Sequence, residues 1–349
     1  MKKIFIWLVL IGPALPVWTQ QNNTPGKGIA VKVDEANRKV DILVDGEYFT
    51  SYIYPLSLEK PVLYPLTTAD GIIVTRGFPL KPRPGERIDH PHQVGWWLNY
   101  GDVNGLDFWN NSYAIPDSMK PHYGSIRHVA VTKAESGSGI ALLAVHCQWV
   151  DHQEKVILDE ETTFEFTGDS QRRRVIRTTR LTAANGEVKF GDSKEGMCAL
   201  RVDRAFETPA DQPEVFTDAS GKPTTVPVMN NEGVNGVYHN SEGDVKDAVW
   251  GKRAKWVSLS AQKGKEEISI SFFDHPRNPG YPAYWHARGY GLFAINNLAR
   301  KAYNDAETAN ITVLKKGESV TFRHMLLIKN GGVITNEELA AEMEKFINK

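Results

Sequence analysis

SIRHVAVTKA (residues 125–134), IALLAVHCQWV (140–150), KVILDEETTFEF (155–166) and RRVIRTTRLTA (173–183) are four consecutive runs rich in branched, threonine and aromatic residues. The breaks between them (SGSG, DHQE and TGDSQ) and the AANGE that follows the last are turn chemistry. In TTFEFT at 162–167 apolar and polar residues alternate, the period that puts every second side chain on one face of a strand. Four such strands joined by short turns make an antiparallel meander, and the rest of the chain is read around it.

Downstream, strands are expected at 255–260, 267–274, 289–296, 309–314 and 319–328. Upstream, 40–44 and 48–54 read as a hairpin closed by Asp45-Gly46 in a type I′ turn, and 95–102 with 106–109 as another closed by Asn104-Gly105. Only the C-terminal end reads as helix. Thr335 and Glu338 have the spacing of a capping box, and Ile334 is placed to staple to Leu339 ahead of 340–347. Residues 211–247 are poor in large apolar side chains and rich in Pro, Thr, Asn, Gly and Asp; they read as a surface excursion over a cleft. The expectation is an all-β chain: one large antiparallel β-sandwich domain over 21–349 with a short C-terminal helix.

Lys2 and Lys3 followed by an apolar run to Leu15 have the form of a secretory signal peptide, assigned to 1–20, with no cysteine placed for lipid attachment. That predicts a periplasmic or extracellular protein. No later run approaches the roughly 18 apolar residues of a spanning helix, so no membrane association is expected after cleavage. Lys plus Arg number 41 against 42 Asp plus Glu, a formal charge of −1 that falls to −3 when the two leader lysines go. A near-neutral chain gives no electrostatic case for nucleic acid. Cys147 and Cys198 are the two cysteines. They either pair in an oxidising compartment or sit as buried thiols.

Chemistry concentrates in two stretches. ERIDHPHQVGWWLNYGDVNGLDFWN (86–110) holds Asp89, His90, His92, Trp97, Asp107 and Trp109; DHPRNPGYPAYWHARGY (274–290) holds Asp274, His275, Tyr284, Trp285, His286, Arg288 and Tyr290. Residues so far apart meet only through the fold, as in an assembled active site. His90 and His92, two apart on extended backbone, face one side. They suit proton transfer with Asp89 fixing a tautomer, or metal ligation, or simply a hydrogen-bonded loop wall. Trp97, Trp109, Tyr284, Trp285 and Tyr290 offer faces for sugar rings, although several must be core. Asp107 suits turn capping as well as ligand binding. In KEGMCALRV (194–202), Glu195 at the mouth of a strand is a candidate acid or base, or a partner of Lys194 or Arg201. The duplicated Asp-His-Pro invites a metal, but proline after each histidine restricts the backbone and neither cysteine lies near, so none is expected. The chain has no Gly-x-Ser-x-Gly elbow, phosphate loop or dinucleotide fingerprint. What is left is acid–base chemistry by carboxylate, histidine and arginine, with or without a metal; no cofactor is expected.

DHPHQVGWW, GDVNGLDFW, KEGMCALRV and DHPRNPGYPAYWHARGYGLFAINN resemble the "PmoA-like" family of unknown function, which carries the inherited label "methane oxygenase PmoA". The resemblance spans most of the mature chain. It departs at Gln93-Val94, where the family usually has His-Arg, and at Asn296-Asn297-Leu298-Ala299, where it often has Asn-Pro-Phe-Gly. It implies a galactose-mutarotase-like β-supersandwich and sugar-catabolic surroundings, with a His and a carboxylate doing acid–base work on a sugar ring. A methane oxygenase is not implied, because the enzyme of that name is a multi-helix membrane protein. The combined expectation is elimination, hydrolysis or epimerisation of a sugar or oxidised (keto) glycoside. His90, His92, His286, Glu195 and Arg288 are the catalytic candidates. Asp89, Trp97, Asp107, Trp109, Arg201, Asp274, His275, Tyr284, Trp285 and Tyr290 are candidate substrate contacts. The rival readings are a non-catalytic glycan-binding module and a structural cell-envelope protein.

Overall fold

The four runs form four adjacent strands, Ser125–Glu135, Ala141–Val150, Val156–Gly168 and Arg172–Ala183. Each pairs with the next antiparallel. Ser319–Asn330, Glu266–Asp274, Trp256–Lys263 and Val237–Asn240 extend them into an eight-stranded sheet. A second eight-stranded antiparallel sheet runs, edge to edge, Ile29–Asp34, Lys39–Val44, Glu47–Ile53, Val62–Leu66, Trp96–Tyr100, Gly196–Arg201, Leu292–Asn296 and Tyr284–Ala287. The computed structural model describes residues 27–211, 214–218, 222–226 and 230–348. The expected signal peptide lies outside them. Among the described residues no helix is long and apolar enough to cross a membrane.

The sheets pack face to face because alternate side chains of both are apolar. Trp96, Leu98, Leu200 and Phe293 of one meet Phe164, Phe166, Phe272 and Leu326 of the other in a single core. The outer faces then differ. That of the meander sheet is covered by the helix Asn336–Ile347, whose Leu339, Met343 and Phe346 pack on Phe273, Met325 and Leu327. Burying three such side chains supplies about 1.5–3 kcal/mol each. The capping box from Thr335 and Glu338 is formed. The outer face of the other sheet carries a smaller apolar patch of Val62, Val94, Trp97, Trp109, Ala199, Leu292 and Ala294. The candidate site is built there.

Asp45 and Gly46 have φ of 51° and 86°, both left-handed as the expected turn between 40–44 and 48–54 requires. Asn104 and Gly105 turn likewise, at 55° and 79°. The return strand expected at 106–109 does not form: Phe108 N donates to Tyr100 O, but Asp107 leaves to bridge Tyr123. Part of the 211–247 excursion folds as the hairpin Glu214–Thr217 with Pro223–Val226. It lies along the segment before Asp89, with Gly85 N donating to Thr217 O and Ile88 N to Val215 O. Val237–Asn240 closes the edge of the meander sheet.

Candidate active site

The loop carrying Asp89, His90 and His92 has no regular structure; two buried arginines hold it. Arg76, 1% exposed, donates through Nη1 to the carbonyls of Arg87 and Asp89, and through Nη2 to those of His90 (2.9 Å) and Gln93 (3.0 Å). Arg76 Nη1 and Arg201 Nη2 both donate to Asp89 Oδ1 at 2.7 Å, and Arg201, 0% exposed, also reaches Gln93 Oε1. The other carboxylate oxygen of Asp89 lies 2.6 Å from His90 Nδ1. Burial raises the Asp89 carboxyl, but the His90 hydrogen bond and the charges of Arg201 and Arg76 outweigh it and hold the group far below the usual carboxylate range. His90 therefore has Nδ1 engaged, its ring exposed to solvent and φ at 46°, a left-handed conformation uncommon for a side-chain-bearing residue. The loop ends at Gly95, where φ is 58° and a Cβ would stand 2.3 Å from the Leu63 carbonyl oxygen.

The second stretch reaches the same place across the sheet. His286 pairs with Ala294, Ala294 with Ala199, and Ala199 with Trp97, so one row of outer-face positions runs from His286 to Trp97 through two alanines. Tyr290 stacks parallel on His90, ring centroids 5.2 Å apart, and His92 meets His90 edge-on at 5.6 Å. Arg201 lies 4.9 Å over the Tyr290 ring. Glu195, just before Gly196–Arg201, points Oε2 at His286 Nδ1 from 3.9 Å. Burial raises the Glu195 carboxyl above its ordinary value; Lys194, His90 and Arg288 work against this and Asp107 with it. Burial pushes His286 down to about 4, helped by the Arg288 charge, so its ring is neutral at ordinary pH. Its buried Nδ1 has no hydrogen-bond partner. The gap to Glu195 is too long for a hydrogen bond and is the kind that a substrate hydroxyl closes.

His90, His92, His286, Glu195, Arg288, Asp89, Arg201 and Tyr290 are thus brought together. Trp97 and Trp109 lie beneath them, fully buried with rings 5.4 Å apart. Asp107 caps its own turn through Asn110 N and Nδ2. Tyr284 stacks on Tyr303 at 5.1 Å and donates to Glu307, at the margin. Three residues are placed elsewhere. Trp285 points into the core between the sheets and donates Nε1 to Ala254 O, since neighbours on a strand face opposite ways. Asp274 is enclosed by Asn278, Asn297 and Ala283 N, and His275 packs on Phe346 of the helix, on the far side of the molecule. The duplicated Asp-His-Pro segments therefore do not meet. Among the described residues no three His, Cys, Asp or Glu side chains cluster to hold a metal ion. Cys147 and Cys198 are free, buried thiols.

Sequence reading missed four residues. Lys60 is buried, donates to the His92 carbonyl at 2.7 Å and lies 5.3 Å over the Trp97 ring. Burial pushes its ammonium down to about 7, against Glu59 and Asp107. Nothing in the surrounding LEKPV marks it. Arg76 sits in a stretch with no site signature. Trp250 and Tyr303 wall the His286 end, their rings 6.5 and 6.1 Å from its ring, and both come from stretches to which the sequence reading assigned no element.

A two-sheet antiparallel sandwich with a histidine–carboxylate cluster on one outer face is the class this architecture defines. The chain belongs to the family described as "Family of unknown function (DUF6807)", whose model matches residues 39–344. No curated protein matches it. Among solved structures it is similar to the galactosidase domain of an alpha-galactosidase-sucrose kinase, at 9% identity and TM-score 0.39, covering 86% of this chain and 42% of that one. An alpha-galactosidase from Lactobacillus brevis gives 9% identity and TM-score 0.40, with 90% and 42% covered. A galactose mutarotase-like protein from Clostridium acetobutylicum gives 10% identity and TM-score 0.36, with 87% and 98% covered. The chain spans less than half the length of either galactosidase structure.

Proposed function

We propose that this is a secreted carbohydrate-processing enzyme. It performs acid–base chemistry on a sugar or keto glycoside and is not a methane oxygenase. The observation that carries the reading is the buried, unpartnered His286 Nδ1 facing the Glu195 carboxylate across 3.9 Å. A sugar hydroxyl or ring carbon between them gives a proton to one group and receives one from the other. Elimination, hydrolysis and epimerisation all need that exchange. Glu195, whose protonated form is favoured by burial, supplies the proton; neutral His286, with its Nδ1 lone pair free, is the base. Arg288 steadies an oxygen that gains negative charge. The Asp89–His90 pair, with Tyr290 stacked on the His90 ring, is a second proton-transfer group. The resemblance to PmoA-like sequences, with its sugar-catabolic surroundings, supports the substrate class.

The exposed Trp250 and the Tyr290–His90 stack would equally serve a binding module, which is the second reading. Incubation with a panel of native and 3-keto glycosides, followed by NMR, separates the two. An enzyme consumes or isomerises a panel member, and Glu195→Gln and His286→Ala reduce turnover at least about 100-fold while binding stays within about tenfold. Binding without turnover across the panel supports the module. Neither binding nor turnover refutes both.

A further inference from the structure

Beside the Glu195–His286 pair lies a cavity of about 460 Å³, of whose lining the proposed chemistry uses Arg288 alone. Trp250, Arg288, Tyr290 and Asp247 form one side of it, and the chain from Thr208 to Ala210 the other. Trp250 is 38% exposed, an unusual position for the largest apolar side chain. Its ring is not loose, being set edge-on to Tyr303 at 6.0 Å and to His286 at 6.5 Å. Arg288 is held between aromatic rings, 5.5 Å from that of Trp250 and 5.8 Å from that of Tyr290. The same three residues therefore border both the cavity and the proton-transfer pair. The wall opposite is fixed too: Thr208 N donates to Gly289 O, and Asn231 holds both backbone groups of Ala210.

We propose that this cavity is a subsite for a second sugar ring, so that the substrate is a disaccharide or larger glycoside with its reacting ring at Glu195 and His286. The assignment rests on the proposed carbohydrate chemistry and adds to it the size of the substrate. The volume lies within the usual range for small-ligand sites, roughly 300–1,000 Å³, and is ample for one pyranose. A rigid aromatic edge with a guanidinium and a carboxylate in reach matches a ring that has apolar C–H faces and an equatorial belt of hydroxyls. A simple anion is a poorer match, because Asp247 shares the lining and Arg87 is already paired with Glu207 at 2.7 Å.

Calorimetry with a disaccharide drawn from the panel and with its non-reducing monosaccharide tests this apart from turnover. The wild-type protein should bind the disaccharide at least tenfold more tightly. Trp250→Ala should abolish that preference. Ala210→Trp, which fills the cavity from a loop pinned by Asn231 and leaves Trp250 intact, should abolish it while leaving the monosaccharide constant within about twofold. Equal affinity of the wild-type protein for the two sugars, or a preference that survives Ala210→Trp, overturns the subsite. If the preference is present and lost as expected while Glu195→Gln changes no turnover, the subsite stands and the proton-transfer reading falls. If no sugar binds, both fall.

Discussion

Replacing Asp89 by alanine tests the construction of the site directly. The carboxylate is the shared acceptor of Arg76 Nη1 and Arg201 Nη2, guanidiniums 1% and 0% exposed, and its second oxygen takes His90. Removing one member of a buried ion pair costs about 3–5 kcal/mol, because the charge left behind stays desolvated. Two features pull the figure to the lower end. Asp89 itself is 23% exposed, and both arginines keep other acceptors, the backbone carbonyls for Arg76 and Gln93 for Arg201. About 3 kcal/mol is expected. With a urea dependence of roughly 3 kcal/mol per molar for a chain of this size, the midpoint falls by about 1 M. Asp89→Asn, which keeps an acceptor oxygen but not the charge, should fall between alanine and wild type. The native carboxyl is depressed, so its contribution is present above the unfolded value near 3.9 and is lost as pH falls through the folded one. The wild-type advantage is therefore flat from pH 5 to 8. A midpoint change below about 0.3 M, or an advantage that grows on acidification through that window, would refute the account.

Three further outcomes follow from particular environments. The alkaline limb of kcat/KM set by Glu195 should lie above pH 4.5, since an acid whose pKa is raised by burial keeps its proton to higher pH. Asp107→Asn should move that limb down and Arg288→Gln should move it up, as a pH–rate series on the best glycoside will show. Cys147 and Cys198, both buried, with burial pushing the Cys198 thiol up to about 12, should be inert to a thiol reagent in the native protein and both react in denaturant. Thr335→Ala removes the helix cap and should cost about 1 kcal/mol by urea titration, without altering sugar binding.

The β-sandwich and the closing helix were legible because their signals are local. Alternation in 162–167, two left-handed turn dipeptides and a capping box each fix a conformation within a few residues. The strands Ile29–Asp34, Val62–Leu66 and Tyr284–Ala287 were not read as such: they are short, and tertiary pairing rather than pattern makes them strands. The site was half legible for a related reason. Chemical identity marked His90, His286 and Glu195, but adjacent strand residues point opposite ways, and nothing in Tyr-Trp-His says which of them faces the core. Trp285 went to the core and His286 to the site. Asp274-His275-Pro276 repeats the chemistry of Asp89-His90-Pro91, yet its strand end directs it toward the helix. Arg76 and Lys60 left no trace because their role is to hold backbone oxygens, and any residue supplies those.

That last point bears on how such a site changes over time. A loop held by its own side chains must keep them, and its sequence is frozen by its shape. Here most of the path from 87 to 93 is secured by one guanidinium drawing on the carbonyls of residues 87, 89, 90 and 93. Those contacts to main-chain oxygens do not depend on which side chains the four positions carry, although the Asp89 carboxylate is needed by both arginines. The arrangement separates part of the frame from the contents: the backbone hold does not depend on the side chains it displays, while Arg76, which makes it, cannot be exchanged.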